Sequence, residues 1–262
     1  LKLNLSDEEE SLILVVNDGS TDRTSEVAIK SGADIVVNHH QNLGVAQAYR
    51  TAIRTALAFG ADIICTIDGD GQFDSNQIQD LIKPIKAGKA DLVIGSRFID
   101  SKLSKNIPLI NRISNKLTAM LISLIIRRRI HDTETGFRAI SRNAAAGLKL
   151  LGKVSFSNDM IIDVSKRNYR ILEVPVTVKY FDERISRVIK GFLKYGFCSI
   201  CLILLKILSV RFSLNRLSNY YPETEVITIS RKAIAKLPIP SEYSSRTLFV
   251  KSPQSEAAEV SE

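Results

Sequence analysis

CTIDGDGQF, residues 65–73, opens as an apolar run and breaks into two aspartates one residue apart. Cys65, Ile67 and the residues before them read as a buried strand, Asp62–Ile67. In an extended chain, residues i and i+2 project to the same side. Asp68 and Asp70 therefore offer two carboxylates to one point beyond the strand's end. Oxygen ligands suit Mg²⁺ or Mn²⁺. Gln72 stands two residues further on and can add a neutral oxygen. Gly69 and Gly71 permit unusual backbone angles and close approach of a ligand. The alternative is a polar turn with a solvated acid pair.

The chain around this strand alternates strand and helix. Leu12–Val16 is a strand ending in Asn17-Asp18-Gly19-Ser20, a turn; a helix follows from Thr21-Asp22 to Lys30. Asp34–Val37 and Asp91–Ile94 read as further strands, with helices over Gly44–Phe59 and Ser75–Ala87 between. The expected fold is α/β, a mostly parallel sheet with helices on both faces. Ligands of such sheets bind outside the strands' carboxyl ends, where Asp18, Asp68, Asp70 and Arg97 all fall.

Beyond Ser101 the pattern changes. A long helix is expected over Ile107–Ile130, then a loop HDTETGFRA (131–139) and a helix from Ser141. Ser157–Asn168 reads as a helix, Tyr169–Val178 as a strand, and Arg184–Val210 as one or two apolar, basic helices. The expected organisation is a domain over 1–183, an interfacial helical segment over 184–219, and a partly disordered Ser- and Glu-rich extension over 220–262.

The 262-residue chain carries a net charge of +8, unevenly spread. Ser101–His131 has seven Lys or Arg and no acid, and so does Arg184–Asn219, leaving the remainder net acidic. Such segments suit a polyanionic surface. Leu117–Ile126 and Tyr195–Leu205 are apolar but too short to span a bilayer, which takes about 20 residues. Flanking bases suit helices lying on an anionic membrane surface. No aromatic interleaving or module points to nucleic acid. Three cysteines make no disulfide framework, and Cys198 and Cys201 have no second pair or nearby His. Reduced thiols in a cytosolic setting are expected. His39 and His40 read as exposed loop residues, and nothing gives His131 a partner.

VVNDGSTD (15–22), NLGVAQA (42–48), DGDGQF (68–73), GSRF (95–98) and TGFRA (135–139) stand in the order of the family 2 glycosyltransferases of the GT-A fold. Over about residues 11–185 the chain most resembles the polyprenyl- and dolichyl-phosphate glycosyltransferases. The resemblance implies a Rossmann-like GT-A domain. It implies nucleotide-sugar contacts at Asp18, Gly19, Ser20, Asn42, Asp68 and Gly69, and a divalent metal at Asp68, Asp70 and Gln72. Arg97 and Arg112 resemble the arginines that hold phosphates, and Gly136 and Arg138 would lie with Arg112 at the acceptor side. The implied reaction moves a hexose or N-acetylhexosamine from a nucleotide diphosphate to a polyprenyl phosphate, with inversion, at a membrane's cytoplasmic face. A homo-oligomer or a membrane-subunit partner is compatible with it.

Relatives that glycosylate hydroxyls keep a base near Asp159, the alternative catalytic residue. A non-catalytic membrane-binding relative is a further alternative. The family's opening strand and P-x-Y-N-E loop are missing, so the natural start is expected upstream of Leu1. Val45 replaces a basic residue, and YFDERISR replaces the usual G-x-S-K near residue 184.

Overall fold

The computed structural model describes residues 11–104, 107–148 and 156–179, together with the backbone of two strands at 225–229 and 247–249. The expected interfacial helix over 184–219 lies outside the described residues. The chain divides into two compact units, one containing residues 5–61 and 220–262, the other 62–219.

In the first unit, β1 (Leu14–Asn17) leads to α1 (Thr24–Lys30), β2 (Ile35–His39) and α2 (Val45–Ala58). β1 and β2 pair in parallel, Leu14 opposite Ile35. Ile35, Val37 and Phe59 form a buried cluster with Leu14 and Val16 against it. On α2 the buried residues Ala46, Tyr49 and Ile53 follow helical spacing, so the helix turns an apolar face inward.

Two further strands complete this sheet: β7 (Glu225–Ile229) antiparallel to β2, and β8 (Thr247–Phe249) parallel to β7. Both strands come from the C-terminal extension expected over 220–262. The β-branched run Val226-Ile227-Thr228-Ile229 accounts for the first of them.

In the second unit, β3 (Ile63–Thr66) is followed by a 3₁₀ turn (Ser75–Gln77), α3 (Ile78–Lys86), β4 (Leu92–Ser96), α4 (Leu109–Ile126), β5 (Arg138–Ser141), α5 (Arg142–Ala146), α6 (Phe156–Lys166) and β6 (Ile171–Pro175). The sheet order is β3-β5-β4-β6. β5 pairs antiparallel with both β3 and β4, and β4 pairs in parallel with β6. The mostly parallel sheet expected is therefore a mixed one. Its reversed strand comes from the segment read as loop: Arg138 lies on β5. Phe137 and Ala139 alternate into a cluster with Phe73, Ile78, Leu81, Val93 and Val176. That short alternation was hidden among polar neighbours.

α4 is shorter than expected, since Pro108 precedes it and Arg127 ends it in a left-handed conformation, φ 53°. Asn115, Ala119 and Ile122 make its buried face. Leu109, Ile113, Leu117, Met120 and Leu124 lie exposed on another face, Leu124 by 77%. Among the described residues α4 is the one helix long and apolar enough to cross a membrane.

Candidate functional site

In the first unit the candidate residues Asp18, Gly19, Ser20 and Asn42 gather beyond the carboxyl ends of β1 and β2. Leu43 and Gly44 donate their backbone N–H groups to the two oxygens of Asp18, at 2.9 and 2.8 Å. Gly19 sits at φ +70°, and a Cβ there would stand 2.3 Å from the carbonyl carbon of Gln41 and 2.5 Å from the amide of Asn42. Only glycine lets the two loops approach so closely. Ser20 donates its N–H to Asn17 Oδ1 at 3.0 Å, and Asn42 is exposed.

His39 corrects its expectation. It ends β2 and is 3% exposed. Its Nδ1 lies 2.7 Å from Asp18 and its Nε2 2.9 Å from Thr51 Oγ1. Its pattern position, an inward residue of β2, was the signal available. Its partner 21 residues away was not.

The second unit holds the acid pair, and the DGDG loop is fixed at both ends. Asp70 Oδ1 accepts the N–H of Gln72 at 3.0 Å, and Gln72 O accepts that of Lys179 at 2.8 Å. Next in line, Phe73 packs 5.3 Å from Phe137, ring centre to ring centre. Thr66 Oγ1 donates to Gly136 O at 2.8 Å. The Asp68 carboxyl rests on Gly136, where a Cβ would stand 2.4 and 2.5 Å from its oxygens. Gly136, expected at the acceptor side, therefore makes room for Asp68. Although Asp68 as a whole residue is exposed, protein atoms crowd its carboxyl. That burial, and then the charge of Asp70, raises its pKa, while Arg97 and Arg138 pull it down.

Arg97 follows β4. Its backbone N–H and Nε donate to Asp132 Oδ2 at 3.0 and 2.7 Å, and its Nη2 donates to Oδ1 at 2.9 Å. The Asp132 side chain is fully buried, and that of Arg97 is partly buried. Burial raises the Asp132 pKa, but the charge and hydrogen bonds of Arg97 outweigh it, and the carboxyl ends below its ordinary value. Removing one partner of such a pair costs on the order of 3–5 kcal/mol, because the other charge is left buried. Preceding Arg97, Gly95 leaves no space for a side chain: a Cβ would stand 2.9 Å from Phe137 O.

Arg138 departs from its expected acceptor-loop position. It is 1% exposed on β5. Its Nε, Nη1 and Nη2 donate to the carbonyls of Thr135, Ser157 and Thr133 at 2.8–2.9 Å. Its guanidinium braces the 131–137 loop from inside. The same loop is held by Asn115 of α4, which donates to His131 O at 2.6 Å and accepts from Thr133 N at 3.0 Å. Glu173 of β6 accepts the backbone N–H groups of His131 and Asp132, each at 2.9 Å, and lies 2.7 Å from His131 Nδ1. His131 thus has a partner. Asp132, Glu173 and Asn115 were missed in sequence because their partners lie 35, 42 and 16 residues away. Arg112 is exposed on α4, and Asp159 is buried in the first turn of α6.

The charges of Arg97 and Arg138 act on Asp68, which also carries the repulsion of Asp70, and a cation at the acid pair would relieve that repulsion. Among the described residues no three His, Cys, Asp or Glu converge as a ready-made cage. Two carboxylates completed by substrate phosphates are a common Mg²⁺ arrangement, and the all-oxygen set of Asp68, Asp70 and Gln72 fits it. Cys65 takes no part: burial pushes its thiol up to about 12.

Residues 3–148 match the profile of glycosyl transferase family 2. The chain belongs to that family. An uncharacterized protein of Methanocaldococcus jannaschii is 36% identical to this family 2 glycosyltransferase over 197 residues, 72% of this chain and 80% of the relative. A UDP-N-acetylglucosamine–dolichyl-phosphate N-acetylglucosaminyltransferase of Methanococcus voltae is 29% identical, covering 70% of this chain and 81% of its own. A dolichyl-phosphate hexose transferase of Haloferax volcanii is 32% identical, covering 62% and 68%. Among solved structures, glucosyl-3-phosphoglycerate synthase from Mycobacterium tuberculosis with UDP aligns at a TM-score of 0.57 and 21% identity, over 74% of this chain and 68% of that one. The likeness to it is one of fold, a GT-A α/β Rossmann-like architecture with mixed sheets.

Proposed function

We propose that this glycosyltransferase moves a sugar from a nucleotide-diphosphate donor to a polyprenyl phosphate at a membrane surface, with inversion at the anomeric carbon. The observation that carries the reading is the Arg97 guanidinium fixed by Asp132 at the end of β4, with its charge acting on Asp68 of the acid pair. The names of the Methanococcus and Haloferax relatives support the acceptor class. Asp68, Asp70 and Gln72 would hold Mg²⁺ or Mn²⁺, which when bound would supply charge neutralisation for a leaving diphosphate. In the first unit, Asp18, Gly19, Ser20 and Asn42 bind the donor nucleotide. Arg97 and Arg112 orient the acceptor phosphate, whose second pKa of about 6 leaves it anionic near neutral pH. Such a nucleophile needs alignment more than deprotonation.

That last point separates the reading from transfer to a hydroxyl, which needs a general base. Asp159, the base of that alternative, is 3% exposed. With undecaprenyl phosphate as acceptor and a panel of uridine and guanosine diphosphate sugars as donors, Asp159→Asn is expected to keep at least about a third of the turnover. Undecaprenol is expected to accept no sugar. Transfer to undecaprenol that Asp159→Asn abolishes would replace this reading with the hydroxyl one.

The exposed stripe of α4, with Arg112 and Lys116 beside it, suits an anionic bilayer surface on the cytoplasmic face. Leu117→Glu with Leu124→Glu is expected to lower partition onto phosphatidylglycerol vesicles by about fivefold or more in sedimentation, since each change puts a charge where an apolar group was buried in lipid. Unchanged partition would remove α4 from the membrane contact.

A further inference from the structure

We propose that Asp132 is a positioning residue, whose buried carboxylate holds the Arg97 guanidinium in the one orientation that meets a phosphate of the substrate. The inference rests on the reading of Arg97 as a phosphate ligand.

An arginine side chain is long, and the acids near this one offer it competing partners. Asp68 and Glu134 both feel its charge. Without Asp132, the guanidinium would be drawn by these other acids instead. Asp132 prevents this in two ways. It takes Nε and Nη2 together, a planar two-point contact that fixes rotation in the guanidinium plane. It also accepts the backbone N–H of Arg97, so both ends of the side chain are referred to one carboxylate. Phe98 lies under the guanidinium, 5.4 Å from its ring centre. The fork uses two of the five N–H donors that a guanidinium carries.

The carboxylate is in turn held from several sides. It accepts the N–H of Glu134 at 3.2 Å, and its own backbone N–H donates to Glu173. It lies in a loop braced from α4, β5 and β6 by Asn115, Arg138 and Glu173. Charge alone would argue for the opposite design. A carboxylate paired to Arg97 lessens its attraction for a phosphate, so its use is in direction rather than in field strength.

The test is a double-mutant cycle on the full chain, with undecaprenyl phosphate as acceptor and release of nucleoside diphosphate as the signal. Asp132→Asn alone is expected to lower kcat/KM for the acceptor by about tenfold or more. In an Arg97→Ala background, Asp132→Asn is expected to change it by less than about twofold, because the group it positions is gone. That double variant removes both buried charges and so avoids leaving one unpaired, whatever the folding of the single variant. Guanidinium chloride added to Arg97→Ala is expected to restore activity, and to fail on Arg97→Ala with Asp132→Asn. An equal loss from Asp132→Asn in both backgrounds, or equal rescue with and without the carboxylate, would overturn the inference and make Asp132 merely structural. An unimpaired Arg97→Ala enzyme would instead remove the phosphate role of Arg97, and the inference with it.

Discussion

Asp70→Asn is expected to lower turnover by about a thousandfold while leaving the fold intact. The bond Asp70 makes within the loop, accepting the N–H of Gln72, survives because an asparagine Oδ1 accepts it equally well. What the variant loses is one negative charge beside Asp68. If that charge holds a divalent cation against the donor's diphosphate, its loss removes an interaction that strengthens as the phosphate departs. Preorganised groups of this kind are worth about 10²–10³ in rate each, and a weakened cation weakens more than one contact. Mn²⁺ binding followed by electron paramagnetic resonance gives a second readout without turnover, and should weaken in parallel. Wild-type turnover, or unchanged Mn²⁺ affinity, would show that the pair is only a solvated turn.

Gly136→Ala is expected to separate stability from activity. The glycine does not occupy the left-handed region, so alanine meets no backbone penalty there. A Cβ would nonetheless overlap both oxygens of Asp68. The clash falls on the far end of a side chain, which can swing away at little cost to folding. The melting temperature should therefore change by no more than a few degrees. The displaced carboxyl no longer shares a point with Asp70, and a misplacement of about 1 Å can cost about a hundredfold in rate. Activity is expected to fall by one to two orders of magnitude, with a higher Mn²⁺ requirement. Full activity with an unaltered Mn²⁺ titration would mean that the position of Asp68 on Gly136 has no bearing on the chemistry.

Much of this site was legible along the chain, because its strongest signals are local. Asp68 and Asp70 stand at the end of an apolar strand, and Gly95 and Arg97 at the end of another. The strand-and-helix alternation placed those ends. What sequence withheld was pairing across distance. Arg97 reads as an arginine facing a ligand, and only the fold shows that Asp132 holds it. HDTETGFRA carries six polar or charged residues in nine and reads as a loop. Phe137 and Ala139 make its second half a strand because a cluster from α3, β4 and the 176–178 segment is there to receive them. Arg138 read as an acceptor-side loop residue for the same reason. Gly136 was noted as a glycine of a motif, but its use depends on a carboxyl 68 residues away.

The reversed strand β5 also bears on how the molecule comes to be folded. Cys65 meets Ala139 and Val93 meets Ala139, so both ladders that flank β5 join distant parts of the chain. Closing such long loops is entropically expensive before any contact rewards it, and slow in consequence. A nascent chain that has not yet released residue 141 has its acid pair and its arginine already synthesised, but no wedge to set them side by side. Catalytic competence should therefore arrive late and all at once in refolding, trailing the helices, rather than growing in proportion to secondary structure.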